Sequence, residues 1–366
     1  MSYMKTLTYW DKLSAESRPI ILYGTGNGAD KIIDACESYS IKIDAVFASN
    51  GFVRNRTFRD MPVKSYDDII AEYGEDIIIL PAFGTSIPEV MAYFKELAAK
   101  HTVIIPEVPL YGGGIFDAEY LETHREDLED VYSLLADDTS RRLFEDAVRF
   151  RITGDIKYLS LCESMEDSMR NIPGFEKVEY ALDGGAFKGD SATDMLAAIP
   201  GVKQIVACEP DPKTYKKLQL FAEGEIARGV VVPVEAALSD KTGFSESVTS
   251  GSRGSGITGK NRRAKVSEVK LDTIDNIIGT STVDYIKLDV EGFEKEAIMG
   301  ASETLERERP ILSVSVYHRT DDIWYIPRLV KEKLGEYKLY LRRPECIPMW
   351  DLNMYFIPLK GNIGAK

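Results

Sequence analysis

Cysteine and histidine are scarce in this chain of 366 residues, which has four of the first and three of the second. Cys36, Cys162, Cys208 and Cys346 lie far apart and form no C-x-x-C pair. That spacing suggests neither a zinc site nor a disulfide framework, and reduced, buried thiols are expected. Long apolar runs are missing too. None approaches the roughly 18 residues of a membrane span, and no basic-then-apolar segment opens the sequence. A soluble, cytoplasmic protein without a membrane partner is therefore expected. Basic charge is in short supply: 45 Lys plus Arg stand against 59 Asp plus Glu, a net charge of −14. Nucleic-acid recognition calls for a basic face, so no nucleic-acid partner is expected.

What the chain does have is a series of short apolar runs that end in acids or glycines. The clearest is Val178 to Ser191, VEYALDGGAFKGDS. Tyr180 to Leu182 reads as the end of a buried strand and Asp183 as its C-terminal residue. Gly184, Gly185 and Gly189 then allow a tight turn through Ala186 and Phe187. Ligands of open α/β sheets lie outside such carboxyl ends, where the next helix offers unpaired N–H groups. That helix should start near Asp190 or Ser191. Either residue can cap it, and Asp190 could instead face a ligand's ammonium.

The turn is not the G-x-G-x-x-G of a pyrophosphate site, because the acid leads and the glycines are spread out. Roughly 20 residues on, the run Gln204 to Cys208 ends in Glu209-Pro210-Asp211, where a carboxylate can accept both hydroxyls of a ribose. Val230 to Val234 leads into Glu235-Ala236-Ala237, a small-residue edge suited to an adenine. Val283 to Leu288 ends in Asp289, Glu291 and Gly292. A ribose diol, an adenine face, an ammonium and a sulfonium with no pyrophosphate are the demands of S-adenosyl-L-methionine.

Six stretches in order, LDGGAFKGDS, ACEPDP, VEAALSDKTG, VKLDTID, DYIKLDVEGFEKEAIMGA and RPILSVSVYH, resemble the FkbM-type S-adenosylmethionine-dependent methyltransferases. The resemblance spans about Val178 to His318 and implies a class I fold with a seven-stranded sheet. The cofactor-binding residues it implies are Asp183 to Phe187, Gly189 to Ser191, Glu209 to Asp211, Glu235 to Ala237, Asp289 and Glu291. Two positions depart from the family. Phe187 stands where a small polar residue is usual, and Ser313 to Val316 lacks the glutamate that many members place before the equivalent of Tyr317-His318.

Methyl transfer to a hydroxyl needs a base within hydrogen-bond reach. His318 should fall at the C-terminal edge of the strand Ile311 to Val316, beside Asp289, so these two are the catalytic candidates. Asp289 could alternatively bind a divalent metal with Glu291 and His318, but no metal site is assigned. The acceptor expected from the resemblance is a hydroxyl of a saccharide, glycan precursor or related small metabolite.

The N-terminal part shows a strand and helix alternation that implies a small parallel sheet. Strands are expected at Ile20 to Tyr23, Ile43 to Phe47, Ile77 to Leu80 and Val103 to Ile105. ILYGTGNGADKII, IDAVFASN, MPVKSYDDI and IIILPAFG look like the Rossmann-like domains attached to bacterial sugar-modifying acyltransferases. Gly24-Thr25-Gly26-Asn27-Gly28-Ala29 fits the turn of a dinucleotide site, which leaves two alternative functions open: an NAD(P)-dependent oxidoreductase and a non-catalytic nucleotide-sugar-binding protein. Against the first, Phe47 is followed by Ala48, Ser49 and Asn50, where an NAD site would place an acid.

Three regions follow: a Rossmann-like domain over 1–112, a helical linker over 113–175 with helices at Glu119 to Leu135 and Ser140 to Ile152, and a methyltransferase domain over 176–366. Within the last, the glycine- and serine-rich Ser245 to Lys265 is expected to be a substrate loop or a hairpin tip, its Arg253, Arg262 and Arg263 suited to an acidic or phosphorylated acceptor. In the linker, His124, Asp127 and Asp130 are expected to form a solvated helix face rather than a metal site. The sequence gives no oligomeric state.

Overall fold

A computed structural model describes residues 7–49, 53, 56–249 and 265–359. Six strands build the N-terminal sheet: β1 (Ile20–Tyr23), β2 (Ala45–Phe47), β3 (Thr57–Phe58), β4 (Met61–Lys64), β5 (Ile78–Pro81) and β6 (Thr102–Val103). Their order is β3-β4-β2-β1-β5-β6, parallel except for the β3–β4 hairpin. IILY, AVF and IILP are buried along their whole length, as strands covered on both faces require. The helices start on local signals. Ser65 and Asp68 form a capping box ahead of Tyr66–Tyr73, and Pro88 opens Pro88–Lys100. The β3–β4 hairpin is the element the apolar runs did not announce, because its strands are short and half-exposed.

The second sheet has seven strands: β7 (Tyr180–Gly184), β8 (Gln204–Cys208), β9 (Val231–Val234), β13 (Tyr285–Leu288), β14 (Ile311–Ser315), β15 (Tyr337–Arg342) and β16 (Asn353–Pro358). The order is β15-β16-β14-β13-β7-β8-β9, with β16 antiparallel to both its neighbours and the other pairs parallel. This is the class I methyltransferase sheet. Between β9 and β13 a smaller sheet forms from β10 (Ala237–Leu238), β11 (Gly243–Thr249) and β12 (Lys265–Asp272). β11 pairs antiparallel with β12 from Gly243 opposite Leu271 to Thr249 opposite Lys265. The two ends of the expected substrate loop are thus ladder strands, and its centre, with Arg253, Arg262 and Arg263, lies outside the described residues.

Helices Ala118–Thr123, Arg125–Leu134 and Asp138–Thr153 join the sheets. The first two were expected as one helix, but the chain breaks at His124, which ends one and starts the other. The His124 ring stacks on Trp324 with centroids 4.6 Å apart, and its Nδ1 meets Asp127 at 2.9 Å. The acid face of this helix is therefore partly docked rather than wholly solvated.

Both large sheets share one apolar core. Tyr23 and Phe47 from the first, with Phe94 of helix Pro88–Lys100, continue through Phe144 and Phe150 of the joining helix to Leu312, Val314 and Phe356 of the second. Polar contacts follow the same path. Arg151 is buried, its Nε 2.9 Å from Glu107 and its Nη1 donating to the Thr320 carbonyl. Truncating the fully buried Phe144 to alanine is expected to cost about 3–5 kcal/mol of stability. Guanidinium unfolding should show this as a lower midpoint, with near- and far-UV dichroism moving together. Two separated transitions would show that the sheets unfold independently.

Candidate active site

The strand order reverses between β7 and β13, with β8 and β9 to one side and β14, β16 and β15 to the other. The crevice outside the carboxyl ends of these two strands is where an open α/β sheet receives a ligand. Lys287 lies opposite Asp183 and Leu288 opposite Gly184 in the ladder. Asp183 is fully buried. One of its oxygens is 3.0 Å from Lys287 Nζ and the other accepts the Ser191 hydroxyl at 2.5 Å. Neither is left for a ligand, so Asp183 and Ser191 hold the turn from behind.

Gly185 has φ +76°, and a Cβ there would stand 1.9 Å from the Asp289 carbonyl oxygen. Only glycine fits, and its absent side chain lets the β7 turn close against the end of β13. Phe187 also has positive φ (+49°); its side chain is 39% exposed, and the Lys188 ammonium lies 4.7 Å from the ring centroid. Gly189, φ +98°, is the N-cap of helix Asp190–Ala198, which has no side-chain cap. The capping role open to Asp190 and Ser191 is therefore not taken up, and Asp190 stands exposed at the helix start.

Glu209 follows β8 and is buried, with 7% exposure. Its Oε2 accepts the Phe187 N–H at 3.0 Å and its Oε1 the Asp211 N–H at 2.8 Å. Burial raises its pKa to about 7, despite the opposing pull of these two N–H groups. Asp211 caps helix Pro212–Phe221 by accepting the Thr214 N–H at 2.8 Å, with Pro210 half-buried before it. Ala236 and Ala237 are buried where β9 runs into β10, while Glu235 is exposed. The residues expected to surround a cofactor thus gather at the ends of β7, β8 and β9.

A second cluster forms where β13 and β14 end. His318 is fully buried, its Nε2 3.5 Å from both Asp289 Oδ1 and Glu291 Oε2. Its Nδ1 lies 2.9 Å from Glu294 Oε1, which also accepts the Val290 N–H. Burial of the ring opposes charge, but Glu294, Asp289 and Glu291 outweigh it and raise the His318 pKa to about 10. Asp289 and His318 are neighbours, as their strand ends imply. Glu291 stands with them, beyond the end of β13.

Three residues of this cluster are not singled out by the local pattern. Glu294 opens helix Glu294–Met299 and reads as an ordinary first-turn acid. Its only clue is the close spacing of three acids in DVEGFE. Tyr317 donates to Asp289 Oδ1 at 3.3 Å. Tyr111, from the glycine-rich connector before the joining helices, donates to Glu291 Oε2 at 3.0 Å. Burial and then the Glu291 carboxylate raise the Tyr111 pKa, so the phenol keeps the proton it donates.

The Gly24 turn is shaped by packing. Gly24 has φ +116° against the Phe83 ring, and a Cβ on Gly28 would come within 2.4 Å of the Ala82 carbonyl. Beyond β2, Ser49 pairs with the Tyr23 hydroxyl at 2.6 Å, and Asn50 lies outside the described residues.

Replacing Lys287 with methionine strands Asp183 as an unpaired buried carboxylate, with an expected cost of about 3–5 kcal/mol. Adding Asp183→Asn should restore part of that loss in urea unfolding. No recovery in the double variant would mean that the pair is not the source of the effect.

No curated protein matches the sequence. Residues 183–345 match the family described as Methyltransferase FkbM domain. Among solved structures, methyltransferase FkbM from Methylobacillus flagellatus KT aligns with a TM-score of 0.70 at 17% identity, covering 95% of this chain and 92% of that one. The likeness of fold therefore takes in the N-terminal sheet. Fibrillarin from Aeropyrum pernix with natively bound S-adenosyl-L-methionine gives a TM-score of 0.33 at 13% identity, over 52% of this chain and 73% of its own. A methyltransferase from Geobacter sulfurreducens gives 0.35 at 10% identity, over 69% and 100%. These two likenesses are too partial to add to the assignment. Residues 183–345 of this chain are thus similar to the FkbM methyltransferase domain, and the chain has the class I methyltransferase fold.

Proposed function

We propose that this chain is an S-adenosyl-L-methionine-dependent O-methyltransferase acting on a hydroxyl of a saccharide, glycan precursor or related small metabolite. The observation that carries the cofactor reading is Glu209. A buried carboxylate, fixed by two backbone N–H groups at the end of β8 beside the β7 turn, suits a ribose diol. The neighbouring groups fit the rest of such a molecule. Ala236 and Ala237 offer a flat apolar edge, Asp190 is free at the helix start, and Asp289 and Glu291 suit a cationic centre. Lys287, by contrast, is committed to Asp183, which supports a cofactor without pyrophosphate. When bound, S-adenosyl-L-methionine supplies an activated methyl group.

The chain's own residues must then orient the acceptor and take its proton. His318 and Asp289 are the two candidates for that proton. With a pKa raised to about 10, His318 already carries both ring protons near neutral pH, so Asp289 is the better proton acceptor of the pair. Asp289 is about one-third exposed where it faces the crevice, and Tyr317 and His318 lie on its inner side. His318 is then a positioning residue. The saccharide acceptor is supported by the family resemblance and by the likeness of the N-terminal domain to those of sugar-modifying enzymes.

Isothermal titration with S-adenosylhomocysteine, run beside NADH and a nucleotide sugar, tests the cofactor. Micromolar affinity for the first, weakened at least tenfold by Glu209→Ala, is expected. Binding of NADH or the nucleotide sugar instead would overturn the reading and turn attention to the Gly24 turn. Hydroxyl donors prefer the ionised carboxylate, so affinity should rise as pH rises through about 7. About tenfold between pH 6 and pH 8 is the expected scale, and Glu209→Gln should flatten that dependence.

A further inference from the structure

We propose that His318 Nε2, Asp289 and Glu291 form a binding site for a divalent cation at the mouth of the crevice. The starting observation is an orphan. His318 is fully buried, yet Nε2 has no hydrogen-bond partner. Two carboxylate oxygens stand 3.5 Å away from it, one from Asp289 and one from Glu291. That is beyond the usual N–H···O range, so the two carboxylates hold the second ring proton only at long range. A separation of 3.5 Å does, however, suit two atoms bound to the same ion. With metal–ligand bonds of about 2.1 Å, adjacent ligand atoms lie about 3.0 to 3.4 Å apart.

The surroundings are those of a built site. Metal-bound histidines commonly give their other ring nitrogen to a carboxylate, which fixes the tautomer and turns the free lone pair toward the ion. Glu294 does this for Nδ1 at 2.9 Å, and it is itself held by the Val290 N–H. The two carboxylates have outer partners as well, Tyr317 on Asp289 and Tyr111 on Glu291. Glu291 adopts a left-handed backbone (φ +56°), an uncommon conformation for a non-glycine residue. One imidazole suits zinc and two carboxylates suit manganese, whereas calcium takes six to eight oxygen ligands.

A cation on Nε2 would take the place of the second ring proton and offer an acidifying partner to an acceptor hydroxyl, with Asp289 then holding the ion rather than taking the proton itself. That use rests on the methyltransferase reading, while the site itself does not. The test is manganese binding to the full chain, followed by the loss of the free-ion electron paramagnetic resonance signal, with calorimetric titrations of zinc and magnesium alongside. One equivalent of manganese should bind, with affinity at least tenfold weaker in His318→Ala, Asp289→Asn and Glu291→Gln. Circular dichroism checks each variant. If His318→Ala does not fold, the partly exposed Glu291→Gln carries the comparison. Glu294→Gln should weaken binding without abolishing it. Saturable binding of none of the three ions by the unaltered protein would overturn the proposal, and so would variants that bind manganese as tightly as the parent. Titration with S-adenosylhomocysteine separates the two readings. Binding of that ligand without metal binding leaves the cofactor assignment standing, and the reverse leaves only the cation site.

Discussion

Lys287 and Asp183 face each other across the β13–β7 ladder with 3.0 Å between ammonium and carboxylate, both shut off from solvent. Two buried charges are tolerable only because each neutralises the other and because further partners satisfy them. Ser191 completes Asp183, and the Gly184 and Gly185 carbonyls complete Lys287. The result is a rigid join at the point where the strand order reverses. Both halves of the site hang from it. On the β7 side the glycine turn presents Phe187 N–H to Glu209, and on the β13 side the chain runs on into Asp289, Glu291 and Glu294. The close fit of Gly185 against the Asp289 carbonyl sets the distance between the halves.

The connector between the two sheets closes the site from above. Leu110 and Tyr111 N–H groups donate to the His318 carbonyl, Arg319 reaches back to the Tyr111 and Gly292 carbonyls, and Thr320 donates to the Gly114 carbonyl. On its other side, Lys31, one turn into the helix after Gly24, donates to the Leu110 carbonyl at 2.6 Å. The N-terminal sheet is therefore tied through one short segment to the histidine and glutamate of the crevice. A shared apolar core makes that tie stiff, because neither sheet can shift without opening packed side chains.

Much of this was legible before any coordinates. Apolar runs such as IILY, YALDG and YIKL became strands because buried parallel strands are apolar along both faces. The acids and glycines that follow them fell at one sheet edge because strand ends in such a sheet point the same way. Asp289 and His318 could be paired on that basis alone. Other features were not legible. Most of β11 looked like loop because its residues are mainly small and polar, and only pairing with β12 makes it a strand. His124 broke an otherwise continuous helical pattern because its ring has a place on Trp324, a contact no local rule contains.

Periodicity and punctuation in the sequence determined the element types, the class I sheet order by resemblance, and which strand ends carry acids. Tertiary structure decided what those acids do. It took Asp183 out of reach by burying it on Lys287, put Glu294 behind His318, and supplied Tyr111 from 180 residues away. The physical reason is that a side chain's charge state and freedom depend on its neighbours in space. Burial lifts Glu209 to about 7, and three carboxylates lift His318 to about 10 against the burial of its ring. Spacing along a chain fixes backbone geometry over a few residues, whereas dielectric and partners are set only when distant segments have packed.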